Sequence, residues 1–186
     1  AFDEFYELTG RRYKRVMSYK AEDADYLILG QGSVVPSAEA VVDYIRETRG
    51  IKVGVVDLVM FRPFPADLIG EIIKGKKGVT ILERLDQQLA VDSPITREVR
   101  AVITKCLENG IYKNDLPYPK LASFGPSDIP AIYSGSFGMG SRDLQPEGII
   151  GAIENMLPSG KRKKQFYLSI DFIRDAAFTP KQKLYQ

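Results

Sequence analysis

The sequence predicts an α/β fold: a mostly parallel sheet with helices on both faces. Three observations carry that prediction. Apolar runs at 26–29, 52–59 and 79–82 lack the alternating polar face of a half-exposed strand, as expected where a sheet is covered on both sides. Each run is followed by residues with helical apolar spacing, from Pro36, from Ala66 and from Pro94. Gly or Pro marks most junctions, where a strand would leave the sheet and feed a helix.

Residues 1–22 interleave rings (Phe2, Phe5, Tyr6, Tyr13, Tyr19) with Arg11, Arg12, Lys14 and Arg15, and form a lead-in that lays ring faces on a neighbouring surface. Acids at 3, 4, 7, 22 and 23 dilute the basic character that stacking on nucleic acid requires. Tyr26–Leu29 is the first strand, ended by the turn GQGS at 30–33. Ala38, Val41, Val42 and Ile45 form the stripe of the next helix, and Gly50 stops it. The turn has neither the third glycine of a dinucleotide fingerprint nor the GK[ST] ending of a phosphate loop.

Residues 52–59 make the second strand, which continues into FRPFP; Pro65 suits a helix start because its missing N–H has no intrahelical partner. Leu68, Ile69, Ile72 and Ile73 supply that helix's apolar side and Gly75 ends it. After the strand VTIL come Glu83, Arg84 and Asp86, then a long helix from Pro94 to about Asn109 that Gly110 terminates. A Pro-containing connector spans 111–127, IPAIY at 129–133 is a further short strand, and 134–148 is a glycine-rich loop. Pro146 opens a helix with Ile149, Ile150, Ile153 and Met156 inward, stopped by 158–160. The basic run 161–164 is a solvated loop, and FYLSI at 166–170 is an edge or interdomain strand. The organisation is thus a lead-in at 1–22, an α/β domain at 23–160, and a basic loop, edge strand and interdomain tail at 161–186.

Composition narrows the chemistry. The 186 residues include no histidine and one cysteine, which excludes an internal disulfide, His-based triads, a zinc finger and a cysteine-rich iron–sulfur cradle within this chain. Cys106 lies in a helical apolar stripe and reads as a small hydrophobe, in keeping with an intracellular, reducing setting. With 26 basic and 24 acidic residues, the net charge of +2 points to neither nucleic acid nor an anionic membrane. No apolar stretch reaches the roughly 18 residues of a membrane span, and the opening AFDEFYELTG lacks the regions of a signal peptide. The absence of an initiator methionine fits either its removal or excision from a longer polypeptide.

Right-handed crossovers would place the 30–33 turn, Phe61–Pro65 and residues 83–88 on one rim, where open α/β sheets bind ligands or partners. There, Asp57, Glu83 and Asp86 could act as acid and base, or pair with Arg62 and Arg84 at equivalent strand ends. The SFGMGSR segment could cradle an anion through its backbone, with Arg142 pairing to it, or form an interdomain corner.

Taken in order, YKAEDADYLILGQGS, VGVVDLVMFRPFP, VTILERLDQ, SGSFGMGSRDLQP and FYLSIDF resemble the pyruvate:ferredoxin (flavodoxin) oxidoreductase family of 2-oxoacid oxidoreductases. The likeness is to the domain that is similar to the C-terminal domain of transketolase, and it runs from about Arg11 to Asp171. The resemblance implies a large, often dimeric cytoplasmic enzyme. Such an enzyme decarboxylates a 2-oxoacid on thiamine diphosphate with Mg, passes electrons through [4Fe–4S] clusters to ferredoxin or flavodoxin, and transfers the acyl group to coenzyme A. It implies that those cofactors are held chiefly by other domains, with no catalytic or metal-binding residue here. By the same resemblance, Gly30, Gly32 and Ser33 match the family's glycine turn, Arg62 to Pro65 its RPFP rim, and Arg84 and Asp86 its third strand exit. Gly138, Gly140, Ser141 and Asp143 match the segment leading to the next domain. With Asp57 and Arg142, these are the expected rim or interdomain contacts. The stretch QQLAVDSPITREV and the end FYLSIDFIRDAAF depart from the family pattern and leave open a different oxoacid or redox partner. The other reading is a stand-alone binding or scaffold protein on the same fold.

Overall fold

The structure, a computed structural model, describes residues 1–87 and 89–170. In chain order the regular elements are α1 (Phe2–Thr9), β1 (Met17–Tyr19), β2 (Tyr26–Gly30), α2 (Val34–Arg49), β3 (Val53–Asp57) and α3 (Ala66–Ile73). Then follow β4 (Gly78–Glu83), α4 (Pro94–Ile111), β5 (Ala131–Ser136), α5 (Pro146–Met156) and β6 (Gln165–Tyr167). The strands form one sheet in the order β1-β3-β2-β4-β5-β6. Only β1 runs antiparallel, so the expected mostly parallel sheet is present.

The unbroken apolar runs follow from burial on two faces. Every residue of β2 and of β4 is buried. Leu27, Leu29, Val56, Val79, Ile81 and Ile132 pack with Ile69 and Ile73 of α3 and Val99, Val102 and Cys106 of α4. Ile28, Val53, Val55, Leu82 and Tyr133 pack with Val41, Val42 and Ile45 of α2 and Ile149 and Ile153 of α5. The period of 2 along each strand therefore sorts one apolar run into two cores. Burying a side chain such as Leu27 or Ile28 stabilises by about 1.5–3 kcal/mol, and both are fully buried. Among the described residues no helix is long and apolar enough to cross a membrane.

Several boundaries differ from the sequence reading, each for a physical reason. Helix α2 begins at Val34, two residues before the predicted start, because Pro36 falls in the first turn, where backbone N–H groups have no intrahelical acceptor. Ser134–Ser136, read as part of a glycine-rich loop, are the end of β5 and pair on both sides, with Ile81–Glu83 and with Gln165–Tyr167. Residues 17–19, read as part of the lead-in, form the edge strand β1 against β3. The final strand covers 165–167 and not 166–170, and residues 171–186 of the proposed tail lie outside the described residues.

Gly110 does not terminate α4, which continues to Ile111. Its role is steric: a β-carbon there would lie 1.9 Å from the Phe124 carbonyl oxygen. The connector needs that approach, since Phe124 N–H donates to the Cys106 carbonyl at 2.8 Å and the Phe124 side chain is buried. Asn109, fully buried, fastens the same connector by donating from Nδ2 to the carbonyls of Tyr118 (2.8 Å) and Leu121 (3.0 Å) and accepting from Tyr118 N–H (3.0 Å). Gly110→Ala is expected to overpack this crossing and cost about 1–3 kcal/mol. A lower urea midpoint with an unchanged slope is the expected reading, and an unchanged midpoint would contradict the packing role.

Candidate functional site at the carboxyl edge of the sheet

The four central strands are mutually parallel, so they end at Gly30, Asp57, Glu83 and Ser136 on one edge. The best-defined group on that edge is Glu83. Its side chain is buried, with Oε1 accepting from Ile95 N–H at 2.7 Å and Oε2 accepting from Thr96 N–H at 3.2 Å and from Thr96 Oγ1 at 3.0 Å. The carboxylate thus satisfies the amino end of α4, where Ser93 provides no side-chain cap. Thr96 Oγ1 lies 3.2 Å from Ser134 Oγ, extending the buried polar chain to β5.

The expected pairing of rim carboxylates with Arg62 or Arg84 does not form. Glu83 is held by α4. Asp86 accepts the Tyr167 hydroxyl at 3.1 Å on each oxygen, tying the β4 exit to β6. Burial, followed by that bond, holds the Tyr167 phenol above its ordinary value. Arg62 turns towards α4, donating to Glu98 at 2.7 Å while its guanidinium lies 4.0 Å from the Phe61 ring centroid. Arg84 is exposed, and its stem packs against Gly138, where a β-carbon would lie 2.6 Å from Arg84 Cγ. Geometry therefore pairs the two strand exits with α4, the edge strand β6 and a loop, not with each other.

The remaining predicted contacts are dispersed. Gly30 ends β2, Gly32 has φ 74°, and Ser33 is exposed at the start of α2. Gly138 and Gly140 adopt left-handed φ values of 76° and 64°, and Ser141 does so at 60°. Arg142 donates to the Ser169 carbonyl at 3.2 Å, and Asp143 is exposed. Asp57 is half-buried at the end of β3; burial first, then the charge of Glu39, pushes its carboxyl above the usual range. A cleft of ≈ 200 Å³ lies beside the β4 exit, lined by Asp86, Asp92, Ser93, Ser134, Ser136 and Tyr167 among others. Sequence reasoning missed Glu83 as a helix cap. The available signal was the Ser93–Pro94 start without an acid in the first turn, which left α4 needing an acceptor from elsewhere.

These residues do not supply the ligands of a [4Fe–4S] cluster, nor a free helix end for a diphosphate at α4. A [4Fe–4S] cluster takes four cysteine ligands, whereas the single Cys106 is buried in the α4 core, its thiol pushed up chiefly by burial. Among the described residues no three His, Cys, Asp or Glu side chains are grouped to hold a metal ion. The amino end of α4 already holds an anion, Glu83, which would repel a diphosphate there.

The fold and this edge define an open, mostly parallel α/β domain whose rim polar groups largely brace neighbouring elements. Residues 24–113 match the pyruvate:ferredoxin oxidoreductase core domain II family. The chain is 31% identical over 154 residues to the pyruvate synthase subunit PorA of Thermotoga maritima, covering 83% of this chain and 34% of that one. It is 29% identical over 170 residues to the pyruvate-flavodoxin oxidoreductase of a Nostoc species, covering 91% of this chain and 13% of that one. To PorA of Pyrococcus furiosus it is 29% identical over 164 residues, covering 87% of this chain and 36% of that one. Residues 24–113 thus carry the core domain II of the pyruvate:ferredoxin oxidoreductase family, and the relatives support the same family for the chain. It spans about a third of the PorA subunits and a much smaller part of the longer flavodoxin-linked enzyme.

Two expectations follow from the rim. Glu83→Gln places an amide N–H₂ among the α4 N–H donors and should cost about 1–3 kcal/mol in urea unfolding. Asp57 gives a pH signature. Between the ordinary carboxylate value and its raised folded value the native state binds more protons than the unfolded chain, so this group makes stability fall as pH rises. Asp57→Asn should therefore be more stable than the parent at neutral pH, with the difference closing towards about pH 4; an unchanged pH slope would contradict the assignment.

Proposed function

We propose that this chain is the domain II portion of a thiamine-diphosphate-dependent 2-oxoacid oxidoreductase, with pyruvate as the first candidate substrate. In this reading it supplies scaffold and interdomain contacts for oxidative decarboxylation to acyl-CoA, and ferredoxin or flavodoxin accepts the electrons of the whole enzyme. The carrying observation is that the chain matches a PorA subunit across 83% of its own length and only 34% of the subunit's. Thiamine diphosphate, Mg, [4Fe–4S] clusters and coenzyme A belong, on this proposal, to other domains of a cytoplasmic homodimer.

The amino-terminal segment supports a role in contacts. Helix α1 buries none of its residues against the rest of the chain, and Phe5, Tyr6 and Leu8 are exposed. The segment is ordered by its own contacts: the Phe5 and Tyr13 rings are 5.7 Å apart, and Arg12 lies 4.2 Å from the Tyr6 ring centroid. Rings beside cations on a surface helix make a compact anchor for another protein surface.

Purification of the native protein from its source tests the proposal. The expected product is far larger than 20.8 kDa, carries thiamine diphosphate and iron, and oxidises a 2-oxoacid. A native product of this mass with neither cofactor would overturn it in favour of a stand-alone binding protein. Within the full enzyme, Phe5→Ser with Leu8→Ser should weaken assembly about tenfold, equivalent to about 1.4 kcal/mol. The urea midpoint of the chain itself should be unchanged.

A further inference from the structure

The cleft beside the β4 exit is built from two walls, and its polar groups are incompletely used. The strand period places Ser134 and Ser136 of β5 on one face of the sheet with their β6 neighbours Gln165 and Tyr167. That is the face α4 covers, since Ser134 Oγ lies 3.2 Å from Thr96 Oγ1. Asp86, Gln87 and residues 90–93 form the other wall, and the space between is ≈ 200 Å³. Gln165 Nε2 joins the two walls by donating to the Val91 carbonyl at 3.2 Å.

Two hydroxyls line this space without partners. Ser136 is only 8% exposed and Ser93 9%, and neither side-chain oxygen makes a hydrogen bond among the described residues. Ser93 is left over because Glu83 has taken the N–H groups that a capping serine would accept. Ser136 stands two residues further along β5 than Ser134, whose own proton is committed. Thr96 gives its hydrogen to Glu83, so Ser134 donates to Thr96 and keeps only acceptor capacity. Asp86 is also under-used: its two oxygens share the single Tyr167 hydrogen at 3.1 Å each. A full O–H···O⁻ bond is about 2.5–2.7 Å, and a carboxylate has about four acceptor positions. Charge does not select the ligand, because Arg100 Nε holds Asp92 at 2.9 Å and Arg97 reaches Gln87 Oε1 at 3.4 Å. Hydrogen bonding does.

We propose that this cleft binds a small neutral polyol through a pair of adjacent hydroxyls. The two hydroxyls would donate to the Asp86 carboxylate while Ser93 and Ser136 donate to their oxygens, so that each under-used group gains a partner. An anion would meet the carboxylates of Asp86 and Asp92, and a cation, which only donates, would leave both serine hydrogens unmatched. Waters satisfy the same groups one at a time, whereas a diol does so with one immobilised molecule. The site requires nothing of the oxidoreductase reading.

Titrations followed by saturation-transfer NMR on the full native protein test it. The probes are two isomers, cis-1,2-cyclohexanediol and trans-1,4-cyclohexanediol, together with ethanolamine. The 1,2 isomer should bind about fivefold or more tightly than the 1,4 isomer, with an affinity indifferent to salt. Ser136→Ala removes a hydroxyl that has no protein partner and should weaken the 1,2 isomer about fivefold without lowering the thermal midpoint. Ser93→Ala should act in the same way and serves as the test if the first variant does not fold. Asp86→Asn keeps an acceptor for Tyr167 and should also weaken the 1,2 isomer, because one of the oxygens that accept from the diol is lost. Tighter and salt-sensitive binding of ethanolamine would overturn the polyol in favour of an ammonium. Equal affinity for the two isomers, no binding of either, or indifference to both serine variants would overturn the site.

Discussion

The bond between Glu83 and the first turn of α4 organises the carboxyl edge. A carboxylate at the end of a central strand meets two backbone N–H groups and a hydroxyl of the helix that crosses back over the sheet. Because Glu83 and these partners are buried, neither side can return to water while the fold persists, and an unpaired member would carry its full desolvation cost. This one contact fixes where α4 starts, aligns Thr96 with Ser134, and holds the third strand exit beside β5. The Asp86–Tyr167 bond and the packing of Arg84 on Gly138 lie at the same strand exit.

Much of the rim's hydrogen bonding is thereby spent inside the domain. Arg62 reaches Glu98, Asp86 receives Tyr167, and Arg142 reaches a backbone carbonyl. Such contacts tie the edge to its neighbouring elements within the domain. The amino-terminal helix offers the contrasting case: exposed rings and an exposed leucine with no buried residue. A domain with a braced edge and an amphipathic helix that exposes its rings and buries none of its residues is consistent with contacts to other domains or subunits.

The fold was legible because two-sided burial writes itself into sequence as unbroken apolar runs, and β2 and β4 are buried throughout. The family was legible through ordered motifs, each set at a strand end. Three features were not. The strand character of Ser134–Ser136 comes from ladders on both sides, not from side-chain propensity. Residues 17–19 join the sheet through backbone pairing with 55–57. Gly110 looked like a helix stop, but Phe124, fourteen residues on, explains it. In each case the deciding partner lies elsewhere in the chain, where local pattern carries no information.

By itself the sequence determined the α/β class, the order of its elements from β2 onwards, the apolar stripes and the absence of histidine and of a cysteine cluster, all of which are local or compositional. Tertiary structure decided what the charged residues do. It turned Glu83 from a candidate acid into a helix cap, directed Arg62 to α4, and set Asp86 against Tyr167. The reason is physical: apolar burial follows the period of the element that carries it, whereas a charge takes its role from whichever donor, acceptor or opposite charge the fold brings within about 3 Å.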